Sequence, residues 1–166
     1  MKRFRRVSNV ILLLVVCMVV SLFAGCGGSS QQGGQTIDPN KEYILIGRVA
    51  PLTGPLASFG DGTPYIEEKA VEKLNEEGGI YIEELDKKLP IKFIVMDSES
   101  DTTKAAEAAN KLILEDKVDL MIVSHTADTV NPVSAACERY KIPCISVDAP
   151  VDAWLQGGPY KYSYHA

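Results

Sequence analysis

The sequence predicts an α/β fold, a three-layer arrangement in which a parallel sheet carries helices on both faces. From residue 42 onward, short β-rich runs alternate with longer segments whose apolar residues recur at helical spacing. The run 118–123 is apolar almost throughout, as expected of a strand that is covered on both faces. Strands separated by helices pair in parallel through right-handed crossovers, so this alternation predicts a single parallel sheet.

The first strand and the first helix have clear boundaries. Residues 43–49 form a β-rich run that ends before Pro51. A helix is predicted over about 64–77, and Gly78 with Gly79 ends it. The apolar residues expected to form its packing face are Ile66, Ala70, Val71 and Leu74.

The remaining elements continue the alternation. In order, they are a small hairpin or turn at 81–89, strands at 91–96, 118–123 and 144–147, and helices at about 102–115 and 131–140. The packing face of the helix at 102–115 is predicted to consist of Ala105, Ala109, Leu112 and Ile113. The run 160–165 alternates like a strand, and no helix follows to cover it, so we expect an incomplete domain.

The N-terminal segment has the parts of an export signal. Four basic residues within 2–6 precede an apolar stretch at 10–23, and small residues then lead into Cys26. We predict a lipoprotein signal peptide over 1–25 and a lipid on Cys26. Residues 26–41 then form a flexible tether, because 27–35 contain only Gly, Ser and Gln. One alternative is a permanent membrane anchor, but the apolar stretch is shorter than the about 20 residues that a bilayer span needs. The other is ordinary cleavage of a signal peptide, with Cys26 there by chance.

Composition excludes several classes of partner. The chain carries a net charge of −5, and removal of 1–25 takes away four basic and no acidic residues. So acidic a chain is not expected to bind nucleic acid or anionic lipid. Cys137 and Cys144 either form a disulfide or serve as two small buried hydrophobic side chains. No metal site is expected, because neither histidine has ligand spacing to a cysteine.

Ligands of an open parallel sheet bind at the carboxyl ends of its strands. Four loops qualify, at 51–61, 97–101, 124–131 and 148–154. The third loop precedes a predicted helix, where Thr126, Asp128 and Thr129 either cap the helix or accompany free N–H groups that hold an anion.

Signals for catalysis are poor. Ser124, His125 and Asp128 are too close in sequence to form a hydrolase triad, and a solvated loop explains Asp97 and Glu99 better than acid–base chemistry. The sequence contains no nucleophile elbow, dinucleotide fingerprint or phosphate loop. We therefore expect neither catalysis nor a cofactor.

Segments 46–60, 70–80, 97–112 and 118–146 together resemble the extracytoplasmic solute-binding proteins of the branched-chain amino acid type, the leucine-binding-protein-like receptors of ABC importers. The resemblance implies a two-lobed periplasmic-binding type I fold, with residues 42–166 supplying most of the first lobe only. It also implies binding of a small polar solute, an amino acid or related compound, and its delivery to an importer permease outside the cytoplasm. The alternative is a ligand-binding sensory domain of a receptor with the same fold.

The resemblance also implies which residues contact the solute. Carried over to this chain, they are Ser58, Phe59, Thr126, Ala127, Asp128, Asp148, Ala149, Pro150 and Trp154. Ala127 stands where a serine is typical, and Pro150 stands where a hydroxyl residue is common, so the solute need not be a branched-chain amino acid. Asp148 adds a negative charge that favours a cationic group. Trp154 either stacks on the solute or closes the lobe.

Overall fold

The structure is a computed structural model that describes residues 37–166. The predicted signal peptide, Cys26 and most of the predicted tether lie outside the described residues. Within 37–166, no helix has the length and apolar character needed to cross a bilayer.

Five strands form one parallel sheet. They are β1 (Ile44–Ala50), β4 (Ile91–Asp97), β5 (Leu120–Ser124), β6 (Cys144–Val147) and β7 (Ser163–His165), in the spatial order β4-β1-β5-β6-β7. Every neighbouring pair in this sheet is parallel, which confirms the predicted fold class. The chain moves from β1 to one side of the sheet and then continues on the other side of β1. The order of strands therefore reverses beside β1, where ligands of such sheets bind.

Helices connect these strands. They are α1 (Thr63–Glu76), α2 (Thr102–Leu114), α3 (Ala127–Tyr140) and the short α4 (Val151–Leu155). The segment predicted as a hairpin or turn is a hairpin, in which β2 (Ile80–Ile82) pairs antiparallel with β3 (Lys87–Leu89).

The start of α3 differs from the sequence prediction. The helix was expected to begin near Asn131, but it begins at Ala127, after Thr126 in an extended conformation. Asn131-Pro132 suggests a helix boundary because proline disfavours the helical conformation of the residue before it. Pro132 instead lies inside the helix, near its N-terminal end. Asp128 and Thr129 are therefore helical residues, and the third loop is shorter than predicted.

The main core lies between the sheet and the α2–α3 layer. The predicted packing face of α2 is confirmed, since Ala105, Ala109, Leu112 and Ile113 are all buried. Gly47 of β1 makes room in this layer, because a Cβ there would lie 2.8 Å from the sulfur of Met121. Close approach of α2 and β5 to β1 thus depends on the missing side chain.

The predicted packing face of α1 is wrong. None of its residues is buried, and Ile66 is 67% exposed. Helical spacing identifies an apolar stripe, but burial also needs a layer to receive it. Here α1 lies over the edge strand β4, and Val71 is the one residue of the predicted face that lines an open groove with Phe93 and Val95.

Candidate ligand-binding site

The loop after β1 is held in place by the end of β4. The carboxylate of Asp97 accepts hydrogen bonds from the N–H of Leu52 at 2.9 Å, the N–H of Thr53 at 3.2 Å and the hydroxyl of Thr53 at 2.6 Å. A further bond comes from the N–H of Glu99 at 2.7 Å. Burial by itself would raise the pKa of Asp97, but these hydrogen bonds to the charged form outweigh it and leave the pKa below its usual value. Asp97 is thus a fixed acceptor that shapes the loop.

A second set of contacts pins the same loop. The hydroxyl of Ser100 donates to the carbonyl of Thr53 at 2.6 Å and accepts from the N–H of Leu56 at 3.0 Å. Gly54 has a φ of +85°, and a Cβ there would lie 2.6 Å from the carbonyl oxygen of Glu99. Only glycine fits this close approach of the two loops.

The pinned loop presents two of the predicted solute contacts. Ser58 and Phe59 lie in a single 3-10 turn, Ala57–Phe59. Both residues are exposed, and the Phe59 side chain is 55% exposed. An aromatic wall at this position is therefore available to a ligand.

The first turn of α3 offers backbone donors. Thr126 is the N-cap residue, but its side chain caps no N–H and instead lies 3.3 Å from the hydroxyl of Thr129. Within residues 37–166, the N–H groups of Ala127 and Asp128 donate to no protein acceptor. The simple capping interpretation of Thr126 is therefore wrong, and two N–H groups at the positive end of a helix are free to bind an anion.

The three solute contacts predicted after β6 differ in their exposure to solvent. Asp148 has a φ of 68°, and 65% of its side chain is exposed. Ala149 is buried in the core, and its carbonyl oxygen lies 2.9 Å from Nε2 of His165. Pro150 is exposed and precedes the first turn of α4. Asp148 is therefore the one ionisable side chain that this segment, 148–150, presents to solvent.

Trp154 packs inside the lobe. Its ring stacks on Tyr160 at a centroid distance of 4.6 Å and on His165 at 5.1 Å. These contacts fit the alternative in which Trp154 closes the lobe.

Sequence reasoning missed a buried charge cluster beneath these loops. Arg48 of β1 is 3% exposed, and its guanidinium forms an ion pair with Glu67 of α1. The same side chain donates from Nη2 to Oγ of Ser124 at 2.8 Å. Burial lowers the pKa of Arg48 and raises the pKa of Glu67, while the attraction between them opposes both shifts. The signal in the sequence was one arginine within the apolar run at 43–49.

His125 joins this cluster to Asp148. Its Nε2 lies 3.3 Å from Nη2 of Arg48, and its Nδ1 lies 3.6 Å from Oδ2 of Asp148. Burial, followed by the charge of Arg48, lowers the pKa of His125, although Asp148 opposes this shift. The imidazole is therefore neutral at neutral pH. In the structure, both Ser124 and His125 contact Arg48. They are not arranged as a nucleophile and its base.

Cys137 of α3 and Cys144 of β6 are both buried and carry free thiols. A hydrogen bond with Cys144, together with burial, raises the pKa of Cys137. A disulfide between the two residues stays a prediction. Among residues 37–166, no group of His, Cys, Asp and Glu side chains is arranged to hold a metal ion.

In α/β proteins with an open parallel sheet, ligands bind at the carboxyl edge, and the exposed loops of this edge carry free N–H groups and a carboxylate. Residues 44–166 match the model of the family described as periplasmic binding protein, and the chain belongs to this family. The resemblance seen in the sequence is thereby confirmed.

Curated relatives agree with this assignment. The chain is 37% identical over 91 residues to the Leu/Ile/Val-binding protein homolog 3 of Brucella melitensis, a match covering 55% of this chain and 23% of the relative. It is 33% identical over 91 residues to the Leu/Ile/Val-binding protein BraC3 of Rhizobium johnstonii, with the same coverage. The match thus spans about a quarter of the length of these relatives.

Solved structures share the fold. The branched-chain amino acid transporter substrate-binding protein LivJ of Streptococcus pneumoniae, in complex with isoleucine, has a TM-score of 0.64 and 27% identity. That match covers 75% of this chain and 33% of the other. A solute-binding protein of an ABC transporter from Rhodopseudomonas palustris, in complex with 3,4-dihydroxybenzoic acid, has a TM-score of 0.58 and 21% identity. It is covered to 32%, and 75% of this chain is matched.

Proposed function

We propose that this chain is the first lobe of an extracytoplasmic lipoprotein that binds a small polar solute and delivers it to an ABC importer. The family match over residues 44–166 carries the proposal. The names of the relatives support it, because they describe binding proteins for leucine, isoleucine and valine. The likeness to solute-binding proteins of ABC transporters supports the role in import.

The chemistry of the edge suits an amino acid or a related compound. A carboxylate fits the free N–H groups of Ala127 and Asp128 at the start of α3, with the hydroxyl of Thr126 beside them. Isoleucine and 3,4-dihydroxybenzoic acid, the ligands named for two similar structures, both carry a carboxylate. Phe59 supplies an apolar surface for the rest of the solute.

Asp148 decides which solutes are preferred. Its carboxylate is exposed at the end of β6, where it attracts an ammonium or another cationic group. A solute that carries both a carboxylate and a cation therefore matches both parts of the edge. A plain carboxylic acid would meet the Asp148 charge without compensation.

A thermal-shift screen of the full-length protein, with both lobes, tests this proposal. Amino acids, amides, polyamines and small acids are offered at high concentration, because stabilisation by a bound solute grows with its concentration relative to Kd. The solutes that raise Tm most are expected to carry a cationic group. Asp148→Asn is expected to weaken their binding by roughly 1–3 kcal/mol, the loss of one hydrogen bond to a charged group.

Asp152→Asn is the matched control, because Asp152 is an exposed acid on the neighbouring helix α4. This control is expected to keep the affinity of the parent. If a plain carboxylic acid is the best ligand, or if Asp148→Asn binds as tightly as the parent, Asp148 has no such role. Absence of stabilisation by any solute in the protein with both lobes would contradict the proposed function itself.

A further inference from the structure

We infer that Arg48 is a positioning residue of the candidate site: it fixes the tautomer of His125 and, through that imidazole, orients Asp148. The four residues Glu67, Arg48, His125 and Asp148 follow one another in space from α1 to the end of β6. The inference rests on the proposed function for the role of Asp148 toward a solute. The tautomer itself depends on no ligand.

The tautomer follows from the hydrogen-bonding capacity of Arg48. A guanidinium only donates hydrogen bonds. Nε2 of His125, at 3.3 Å from Nη2 of Arg48, must therefore be the acceptor. The hydroxyl of Thr63 lies 3.4 Å from the same nitrogen and can donate to it as well. A neutral imidazole whose Nε2 accepts carries its proton on Nδ1.

That proton lies on the ring nitrogen beside Asp148. Nδ1 of His125 and Oδ2 of Asp148 are 3.6 Å apart, which is longer than a hydrogen bond but close enough for the imidazole N–H to attract the carboxylate. Both residues have left-handed backbones, with φ of 88° at His125 and 68° at Asp148. Non-glycine residues hold such conformations when surrounding contacts fix them, and these residues cluster at functional sites.

Stability alone does not account for the buried pair beneath His125. Nε of Arg48 and the second carboxylate oxygen of Glu67 have no hydrogen-bond partner within the described part of the chain. A buried ion pair that is only partly satisfied stabilises a fold little, and apolar residues of similar size often replace it without loss. Orientation of His125 gives the pair a role that apolar side chains lack.

The second histidine supplies an internal reference. Nε2 of His165 lies 2.9 Å from the carbonyl oxygen of Ala149, and its Nδ1 lies 2.7 Å from the hydroxyl of Ser146. A carbonyl oxygen only accepts, so His165 must carry its proton on Nε2. The two histidines of the chain are thus expected to be opposite tautomers.

Nitrogen-15 NMR of the histidine side chains in the full chain tests the inference, because the shifts and couplings of the ring nitrogens distinguish the two tautomers. At neutral pH, His125 is expected to be protonated on Nδ1 and His165 on Nε2, with His125→Gln identifying the signals. A spectrum in which His125 is protonated on Nε2, or exchanges between both forms, overturns the inference. No solute is needed, so failure of the solute screen and failure of this test are separate results.

The double variant Arg48→Met/Glu67→Met tests whether Arg48 is the cause. Removing both partners leaves no buried charge unpaired. His125 is expected to lose its preference for the Nδ1 tautomer, and its pKa is expected to rise because the nearby positive charge is gone. The spectrum of His165 is expected to stay the same, which reports an intact fold. If His125 keeps the parent tautomer in a folded variant, Arg48 does not position it.

Discussion

At the scale of single residues, the candidate site at the carboxyl edge of the sheet depends on a few polar side chains that hold the backbone of its loops in place. Asp97 holds the loop after β1 through donors from Leu52, Thr53 and Glu99. Arg48 lies beneath the neighbouring loops, where its donors reach Ser124 and His125. Neither residue needs to contact a solute in order to shape the surface that does.

Asp97→Ala is expected to lower the free energy of unfolding by roughly 1–3 kcal/mol, because several donors lose a charged acceptor. The pKa of Asp97 is lowered in the folded state, so its contribution is present above the ordinary value of 3.8 and is lost as pH falls through the folded pKa. Urea unfolding of parent and variant across this range measures the difference. Asp61→Ala, which removes an exposed acid from the same loop, is the control and is expected to have little effect. Equal stability of parent and Asp97→Ala at neutral pH would contradict the assignment.

At the scale of elements, the two faces of the sheet are packed unequally. Helix α2 buries Ala105, Ala109, Leu112 and Ile113 together with Ala108, whereas α1 buries no residue. The polar contacts between α1 and the sheet are the ion pair of Glu67 with Arg48 and two hydrogen bonds between the Asn75 side chain and the backbone of Ile91. The candidate site includes both a well-packed and a poorly packed element: α3 has many buried residues, whereas the turn at Ala57–Phe59 has none.

The backbone amides of α1 are expected to exchange with solvent faster than those of α2, because few buried contacts protect α1 from local opening. The helices have similar lengths, 14 and 13 residues, so α2 is a matched reference within the same molecule. Hydrogen exchange followed by mass spectrometry measures both. Equal or stronger protection of α1 would show that it is held by more than the described contacts.

At the scale of the whole molecule, the proposed function requires a ligand-binding lobe and a lipid anchor in the same protein. The chain spans about a third of the length of similar solved proteins, and the side chains of Asp148 and Phe59 are mostly exposed. A solute held by these groups alone would remain in contact with water, where a charge pair is weak. We therefore expect weak binding by this chain by itself.

The anchor has its own test. Cys26→Ser is expected to remain unprocessed or to leave the membrane fraction, because serine has no thiol to carry the lipid. Cys17→Ser is the control, since Cys17 lies within the predicted signal peptide, and it is expected to behave like the parent. Membrane fractionation and the electrophoretic mobility of the processed chain measure both variants. A Cys26→Ser protein that partitions and migrates like the parent would contradict lipidation.

The sequence by itself determined the fold class, the family and the approximate place of every strand of the main sheet. Period and composition are local properties, and the spacing of Ala105, Ala109 and Leu112 is enough to identify the face that α2 buries. In a parallel sheet the loops after the strands lie at one edge, so the sequence was also enough to predict which loops form the candidate site.

Only the tertiary structure decided which of the loop residues face solvent and what lies beneath them. The sequence could not show that Ala149 is buried, that Trp154 stacks on Tyr160, or that Ile66 finds no layer to cover it. Arg48 and Glu67 are 19 positions apart in sequence, and Arg48 and His125 are 77 apart. Contacts of this kind depend on how strands and helices are placed in space, and a one-dimensional pattern does not contain those distances.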